Sequence, residues 1–299
     1  MSAIAERQAG ATGRARDRGA STVWSLARVE GRRLLRGPAF LIGLVFSVVL
    51  IILSGELAWG FTSYELLTGI ALVPLASGTL IGVYLAGTRP ARHGTTELYA
   101  ATPTRAEVST WAGLVSVAWP VAVAGVVVAV AAVPLAAVRD LEFGDTTLPP
   151  RGVPNVLELA QGPAIVLVYG ILGLLLARFV PVLAVAFIAP VVLLWLLGGL
   201  SGSTGAGPNG SYDVLVYSAP RLRWLGPWVD FRLFPTEELG FVNGFATGRA
   251  GLHALYLVGI ASVLAAVALL RHGRRRSLGV AAAAAGVALA VGAGLLQLP

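Results

Sequence analysis

The sequence RPARHGTTELYAATPTRAE, residues 89–107, is a polar stretch between two long apolar runs. Thr95, or the threonine after it, is a suitable N-cap for a short helix, because a hydroxyl satisfies backbone N–H groups at a helix start. Glu97 then lies in the first turn, where a negative charge is favoured. Pro103 ends the helix by disfavouring the α region at Thr102. A helix this short is unstable alone in water, so the pattern predicts that something else holds it.

Apolar residues dominate the chain on both sides of this stretch. Hydrophobic residues make up 56% of the 299 residues, charged residues make up 12%, and the mean hydropathy is +0.79. That balance is typical of a polytopic membrane protein rather than of a soluble domain. We therefore predict an all-α membrane helix bundle of six to seven transmembrane helices, preceded by an amphipathic interfacial helix.

Uncharged runs divide residues 38–299 into predicted spans. A helix needs about 20 residues to cross a hydrocarbon core of about 30 Å. The predicted spans are residues 38–57, 66–88, 109–138, 159–177, 180–200, 251–270 and 278–298. The run at 109–138 is longer than one straight span needs, which predicts a tilt. The apolar run from 159 to 200 would be about 60 Å long as one helix, so two spans are predicted, with a turn at Arg178-Phe179-Val180-Pro181.

Several glycine, proline, arginine and histidine residues in or beside these spans are interpreted as structural rather than functional. Pro74, Gly78 and Gly82 are of types common in membrane helices, and that interpretation is preferred to a kink or a close helix contact. Arg178 is interpreted as an anchor on the positive side of the membrane, in preference to a contact with a partner protein. His253, near the end of its span, is interpreted as a satisfied interfacial residue rather than a metal ligand.

The N-terminal region changes character near residue 21. Residues 1–20 are polar and rich in Arg, Ala and Gly, which predicts a disordered cytoplasmic tail. Residues 21–37 predict an amphipathic helix in the headgroup plane, attracted to anionic lipid. Its apolar face holds Val23, Trp24, Leu26, Ala27, Leu34 and Leu35, and its basic face holds Arg28, Arg32, Arg33 and Arg36. Glu30 intrudes on the apolar face. A plain basic segment that only sets orientation is also compatible with this pattern.

Arginine bias predicts the orientation of the spans. Of the 22 arginines, 16 lie in segments placed inside and 6 lie in segments placed outside, so the N-terminus is predicted to be cytoplasmic and the loop at 89–107 cytosolic. The protein is predicted to be a multi-pass protein of the plasma membrane.

Residues 201–249 form the longest predicted external loop. Their aromatic residues predict a lid at the membrane interface, and a substrate-binding role is the alternative.

Composition also excludes several kinds of site. The chain has no cysteine and therefore no disulfide, thiolate metal site or Cys nucleophile. All its basic residues are Arg and none is Lys, so it has no Walker A motif. No metal site, no cofactor and no catalytic triad is expected in this chain, and it is not expected to be an enzyme. The arginines flank spans instead of forming one patch, which argues against nucleic-acid binding.

The pattern Gly94-Thr95-x-Glu97-Leu98…Thr102-Pro103-x-Arg105 resembles the loop between the second and third spans of type-2 ABC exporter permeases. Those are the membrane subunits of ATP-driven exporters, in which this loop forms a coupling helix that docks on a separate ATPase. The resemblance extends to a connector helix before the first span and to the spacing of the next five spans. A seventh span departs from the usual six.

The resemblance implies a set of partners and contact residues. The partners are a separate ABC ATPase subunit, which would bind the ATP, and a second permease subunit, identical or paralogous. The residues expected to contact the ATPase are Arg92, Gly94, Thr95, Glu97, Leu98, Tyr99, Thr102, Pro103 and Arg105. Glu97 and Arg105 would make polar contacts, Leu98 and Tyr99 would form an apolar plug, and Gly94 with Pro103 would set the geometry.

Two other functions remain open. An ion-coupled secondary transporter needs ionisable groups within the membrane, and the interiors of the predicted spans lack Asp, Glu, Lys and Arg. A non-catalytic membrane scaffold would use the loop at 89–107 as a simple capped turn. For an exporter, the apolar spans predict an amphipathic or hydrophobic cargo.

Overall fold

The computed structural model describes residues 21–53, 67–92, 94, 106–138, 156–201, 226, 228, 247–270 and 276–297. Within these ranges, all regular secondary structure is helical, which confirms the predicted all-α class there.

The first two helices, α1 (Ser21–Leu35) and α2 (Pro38–Leu53), meet at an angle of 59°. The bend falls at Gly37, because the residue before a proline is disfavoured in the α region. Hydrogen bonds continue through the bend, from Gly37 N to Leu34 O at 3.0 Å and from Leu41 N to Gly37 O at 3.1 Å. The predicted N-terminal helix is therefore present and joins the first apolar helix directly; its position at a membrane interface stays a prediction.

A short irregular segment precedes the next apolar helix. Ile70–Leu72 form a 3-10 turn, and α3 follows over Val73–Gly87. Pro74 lies in the first turn of α3, where its missing N–H is tolerated. The next N–H, that of Leu75, donates to Ser47 Oγ on α2 at 3.1 Å. A side chain of a neighbouring helix thus satisfies a helix-end donor that lipid cannot satisfy.

Two glycines bring α2 and α3 into close contact. A Cβ atom added at Gly43 would lie 2.5 Å from the carbonyl oxygen of Pro74, and one added at Gly78 would overlap the carbonyl of Ala39. Glycine at both positions lets the helix backbones approach, as in other membrane helix pairs. The interpretation of Gly78 as a merely common residue is therefore wrong, because periodicity on one helix does not show which residues meet another helix.

The polar loop at 89–107 lies between α3 and a broken apolar helix. Helix α4 (Arg89–Arg92) begins the loop, and α5 (Ala106–Ser116) and α6 (Ala118–Val138) follow it. The break at Val117 has a local cause, since Pro120 has no N–H to offer the carbonyl four residues before it. The run predicted as one tilted span is therefore interrupted at Val117, but Glu107–Val133 still forms one helical run long enough to cross a membrane.

The following run forms three helices. These are α7 (Val156–Leu159), α8 (Gln161–Phe179) and α9 (Leu183–Ser201). Pro163 has no N–H for the last carbonyl of α7, so a turn at Ala160 separates α7 from α8. The chain turns between α8 and α9 within the segment predicted to separate two spans.

The last two helices are α10 (Thr247–Leu270) and α11 (Arg276–Leu296), and α11 packs mainly against α10. A Cβ atom added at Gly259 would lie 2.6 Å from the backbone nitrogen of Ala290. Gly286 makes a second close approach across the same interface. Small residues therefore account for the packing of the helix predicted as a seventh span.

Helices α3 and α8 form the centre of the bundle. A Cβ atom at Gly173 of α8 would lie 2.5 Å from the carbonyl oxygen of Leu80, and one at Gly162 would lie 2.5 Å from the side chain of Leu72. The core around this pair includes Leu75, Ile165, Val166, Tyr169, Leu174 and Leu257.

Five helical runs among the described residues are long and apolar enough to cross a membrane, and counting the bent pair α1 and α2 raises the number to six. The five are Ile70–Gly87, Glu107–Val133, Val156–Phe179, Ala250–Leu270 and Gly279–Leu296. The described side chains of α9 form a shorter apolar run, Leu183–Leu193, so the span at 180–200 stays a prediction. The protein is a multi-pass membrane protein.

Candidate functional site

The polar loop predicted to bind a partner is described only at its two ends. Helix α4 and Gly94 lie within the described residues, and α5 begins at Ala106. Gly94 is exposed and has a φ of 63°, a conformation that favours glycine. Thr95, Glu97, Leu98, Tyr99, Thr102, Pro103 and Arg105 lie outside the described residues, so the predicted coupling helix itself remains a prediction.

Arg92 ties the beginning of the loop to α3. Its Nη2 atom donates a hydrogen bond to the carbonyl oxygen of Leu85 at 2.6 Å. This carbonyl lies in the last turn of α3, where carbonyls have no partner within the helix and a cation is favoured. Thr88 adds a second link, because its hydroxyl donates to Tyr84 O at 3.0 Å. A displacement of Arg92 therefore acts directly on α3.

Glu30 links α1 to the same end of α3. Its Oε2 atom lies 3.9 Å from Arg89 Nη1, and its Oε1 atom accepts from Arg33 Nη1 at 3.1 Å. The carboxylate that intrudes on the apolar face in the sequence is thus positioned between two arginines. Because the three side chains are partly exposed, each pair contributes at most about 1 kcal/mol. The interaction orients α1 against the start of the loop more than it stabilises the fold.

Arg178 lies at the same end of the bundle. Its Nη2 atom donates to Ser109 Oγ at 3.3 Å, which joins the end of α8 to the start of α5. The beginning and the end of the loop at 89–107 are therefore both attached to the same surface. The sequence alone did not indicate the contact between Arg178 and Ser109. An arginine that only sets the orientation of a span needs no partner side chain.

Tyr84 connects α3 to the turn between α8 and α9. The side chain is fully buried, and its hydroxyl lies 2.6 Å from Val180 O and 2.7 Å from Val182 O. The turn itself presents apolar side chains to the outside: Phe179, Val180, Val182 and Leu183 are all exposed. We call the surface formed by Glu30, Arg89, Arg92, Arg178 and this turn the loop end of the bundle.

The opposite end holds a buried tryptophan that sequence reasoning did not single out. Trp228 belongs to the segment predicted as an interfacial lid, and it is 7% exposed within the core. A Cβ atom added at Gly69 would overlap its indole ring and would lie 3.3 Å from Ile165 Cδ1. One side chain of the predicted lid therefore inserts between the start of α3 and the start of α8. Of the predicted lid at 201–249, the structure otherwise describes Gly226, the last residue of α9 and the first three residues of α10.

Polar side chains are also buried at this end. His253 Nδ1 and Gln297 Oε1 are 3.0 Å apart, and Gln161 Nε2 donates to Thr68 O at 3.1 Å. The interpretation of His253 as a satisfied residue is supported at Nδ1 alone, because Nε2 is buried without a hydrogen bond to any described residue. Its location differs, because the side chain is fully buried instead of lying at an interface.

Glu158 lies within a helical run, although the predicted span at 159–177 left it just outside the membrane. The apolar helical run instead covers Val156–Phe179, and Glu158 within it is only 5% exposed. The run thus carries a buried carboxyl group at one end and Arg178 at the other.

Among the described residues, no group of three or more His, Cys, Asp or Glu side chains is arranged to hold a metal ion. The comparisons of this chain with protein families, with curated proteins and with solved structures found no match.

Proposed function

We propose that this chain is the transmembrane permease subunit of an ATP-driven exporter of the type-2 ABC class. In this proposal a separate ATPase binds the loop at 89–107, and a second permease subunit completes the pathway. The plasma membrane is the proposed location, with the N-terminus and the loop end in the cytoplasm. The cargo is an amphipathic or hydrophobic molecule.

The observation that carries the proposal is the motif from Gly94 to Arg105 between two apolar helices. Its sequence matches the pattern expected of a coupling helix, and the chain has no lysine and so no Walker A motif of its own. Energy from ATP would therefore have to arrive through a contact with another protein.

The contacts at the loop end support a mechanical role for this loop. Arg92 is hydrogen-bonded to α3, and Ser109, just after the loop, is bonded to Arg178 on α8. Since α3 and α8 are also the central pair of the bundle, movement of the loop would act on the core directly. An ATPase that contacts the loop differently in its open and closed states would then shift the balance between two bundle conformations.

The exposed turn between α8 and α9 supports a broader docking surface. Four neighbouring apolar side chains there lie beside Arg178, and all four are exposed. Apolar surface flanked by polar groups is typical of protein interaction sites. Leu98 and Tyr99 in the loop would extend this surface.

The decisive experiment is affinity purification of the full chain from membranes in mild detergent. An ATPase with a Walker A motif is expected to co-purify with the wild-type chain and to be lost with Glu97→Ala. Glu142→Ala is the matched control, because it removes the same carboxylate from a segment predicted to lie on the other side of the membrane and should leave the ATPase bound. Absence of any ATPase from the wild-type preparation would contradict the proposal.

An ion-coupled transporter is the second candidate, and the buried Glu158 specifically favours it. A carboxyl group buried inside a helical bundle is a common element of proton pathways. His253 is a second buried titratable group on a neighbouring helix. In proteoliposomes without ATPase, cargo movement driven by a proton gradient and abolished by Glu158→Gln would select this candidate. No movement without ATPase, with Glu158→Gln still active in its presence, would select the exporter.

A further inference from the structure

One side of α1 carries an exposed row of four residues at a spacing of four. Trp24, Arg28, Arg32 and Arg36 are all exposed, and Trp24 is 55% exposed. Residues four apart on a helix lie above one another, with a rise of about 6 Å between them. We call these four residues the arginine ridge.

The opposite side of α1 is occupied by the protein itself. Ala27 is 1% exposed and Leu34 is 6% exposed. A Cβ atom added at Gly31 would overlap the indole ring of Trp119, and one added at Gly82 would lie 2.6 Å from Leu34 Cδ1. Part of the predicted apolar face, including Leu34, is therefore packed against the bundle, whereas Trp24 of the same predicted face is exposed. The arginine ridge lies on the exposed side of α1, together with Val29 and Arg33.

The three arginines of the ridge have no ion-pair partner among the described residues. Arg33, by contrast, lies off the ridge and pairs with Glu30. Like charges four residues apart on a helix repel one another. A bound anion would relieve this repulsion, and a guanidinium group suits phosphate because it donates two parallel hydrogen bonds.

The position of the ridge indicates that its phosphate comes from a lipid headgroup. Arg36 is two residues from Pro38, where the membrane helix α2 begins. The exposed side of α2 is apolar from its first turn and includes Leu41, Ile42, Val45 and Phe46. The ridge thus ends just before the exposed apolar side of α2 begins. An exposed tryptophan beside it is also typical of the headgroup region.

We propose that the arginine ridge binds the phosphate headgroups of anionic lipids in the membrane leaflet at the loop end. An acidic protein surface would match the arginines, but it would not account for Trp24 or for the exposed apolar side of α2 that begins just after the ridge. Because α1 packs on α3 and α6 and Glu30 approaches Arg89, a lipid held by the ridge stabilises the bundle at the loop end. The proposal does not depend on ATP or on any transport activity.

The test uses the purified full chain in neutral detergent micelles. Phosphatidylglycerol is expected to raise the melting temperature, whereas phosphatidylcholine and inorganic phosphate at the same concentration are not. Native mass spectrometry is expected to show retained phosphatidylglycerol. The variant Arg28→Gln/Arg32→Gln/Arg36→Gln is expected to bind it about 100-fold more weakly, from the usual contribution of three basic residues.

Two control variants make the result specific. Arg7→Gln/Arg14→Gln/Arg16→Gln removes the same charge from the N-terminal tail and should leave lipid binding within about twofold of wild type. Arg28→Lys/Arg32→Lys/Arg36→Lys keeps the charge, so it should retain more lipid than the glutamine variant. It also shows whether a folded variant chain is still stabilised by phosphatidylglycerol. Equal losses in the tail and ridge variants would overturn the proposal, and so would an equal effect of inorganic phosphate. Unchanged lipid binding with loss of a co-purifying acidic protein would assign the ridge to that protein instead.

Discussion

The hydroxyl oxygen of Tyr84 lies 2.6 Å from the carbonyl oxygen of Val180, although the two residues are 96 positions apart in the sequence. The same hydroxyl lies 2.7 Å from Val182 O. These carbonyls lie in the turn after α8, where Val180 O also accepts from Val182 N at 2.8 Å and Val182 O from Val185 N at 2.9 Å. One buried side chain of α3 therefore holds the turn that joins α8 to α9.

Replacing Tyr84 with Phe is expected to destabilise the protein by about 0.5–1.5 kcal/mol, since the variant loses the side-chain hydrogen bond to the turn while Val180 O and Val182 O keep their backbone donors. Thermal unfolding in detergent should show a lower melting temperature. Limited proteolysis should show earlier cleavage at the exposed turn, between Phe179 and Leu183. An unchanged melting temperature would mean that water replaces the hydroxyl.

Replacing Tyr169 with Phe is expected to have the opposite effect on the melting temperature. Its side chain is 1% exposed, and its hydroxyl has no hydrogen-bond partner within the described structure. A buried hydroxyl without a partner costs about 1–3 kcal/mol, so Tyr169→Phe is expected to raise the melting temperature. Both variants remove one hydroxyl from a buried tyrosine in the central helix pair. A loss of stability in Tyr169→Phe would reveal a partner, such as a bound water molecule.

The helical class and the main apolar runs could be predicted from the sequence because lipid imposes a simple rule. Long uncharged runs must form helices, and they do so from Pro38 onwards. Interruptions within these runs were harder to predict. Pro120 and Pro163 each remove one backbone donor, but a proline can bend a helix or end it, and its neighbours decide which.

Contacts between distant segments could not be predicted, since a single sequence shows periodicity and not partners. The sequence placed Glu30 on the apolar face of its helix without a reason, and the structure supplies one, since Arg89 lies beside its carboxylate. Trp228 resembled the other aromatic residues of its segment until its ring was seen against Gly69. The candidate coupling residues from Thr95 to Arg105 rest on the motif alone.

Ser47 offers a test of how the bundle satisfies helix ends inside the membrane. Its hydroxyl oxygen accepts from the N–H of Leu75 at 3.1 Å, and both groups are buried. Ser47→Ala leaves that N–H without a partner and is expected to cost about 1–3 kcal/mol. The control is Ser262→Ala, since the Ser262 hydroxyl bonds only to Val258 O on its own helix and its loss should cost less than about 0.5 kcal/mol. Equal effects in thermal unfolding would argue against the capping role.

Gly78 and Gly125 form a matched pair for testing helix contact. A Cβ atom at Gly78 would overlap the carbonyl of Ala39, whereas a Cβ atom at Gly125 would have nothing within 4 Å. Gly78→Ala therefore forces α2 and α3 apart and is expected to cost about 1–3 kcal/mol. Gly125→Ala is expected to be neutral or to stabilise α6 by up to about 1 kcal/mol, because alanine is the better helix former. Unfolding of the two variants side by side measures the difference, and similar stabilities would show that the two helices can separate at no cost.

Trp228 and Gly69 provide a test of the inserted tryptophan. Gly69→Ala adds a Cβ atom where the indole ring lies, and a ring at the edge of the bundle can move outward more easily than the backbone can. The variant is therefore expected to expose Trp228. Acrylamide quenching of tryptophan fluorescence should increase relative to the wild-type protein.

A double variant separates this effect from the six other tryptophans of the chain. Gly69→Ala should change the quenching of the wild-type protein but should leave the quenching of a Trp228→Phe protein unchanged.

The indole N–H of Trp228 has no hydrogen-bond partner within the described structure. Release of the ring would therefore hydrate this group, which offsets part of the free energy lost with the burial of the ring. For this reason Trp228→Phe, which keeps an aromatic ring and removes the buried donor, is expected to cost less stability than Trp228→Ala. If Trp228→Phe costs as much as Trp228→Ala, the loss of the N–H that both variants share accounts for the effect, and the N–H does have an acceptor.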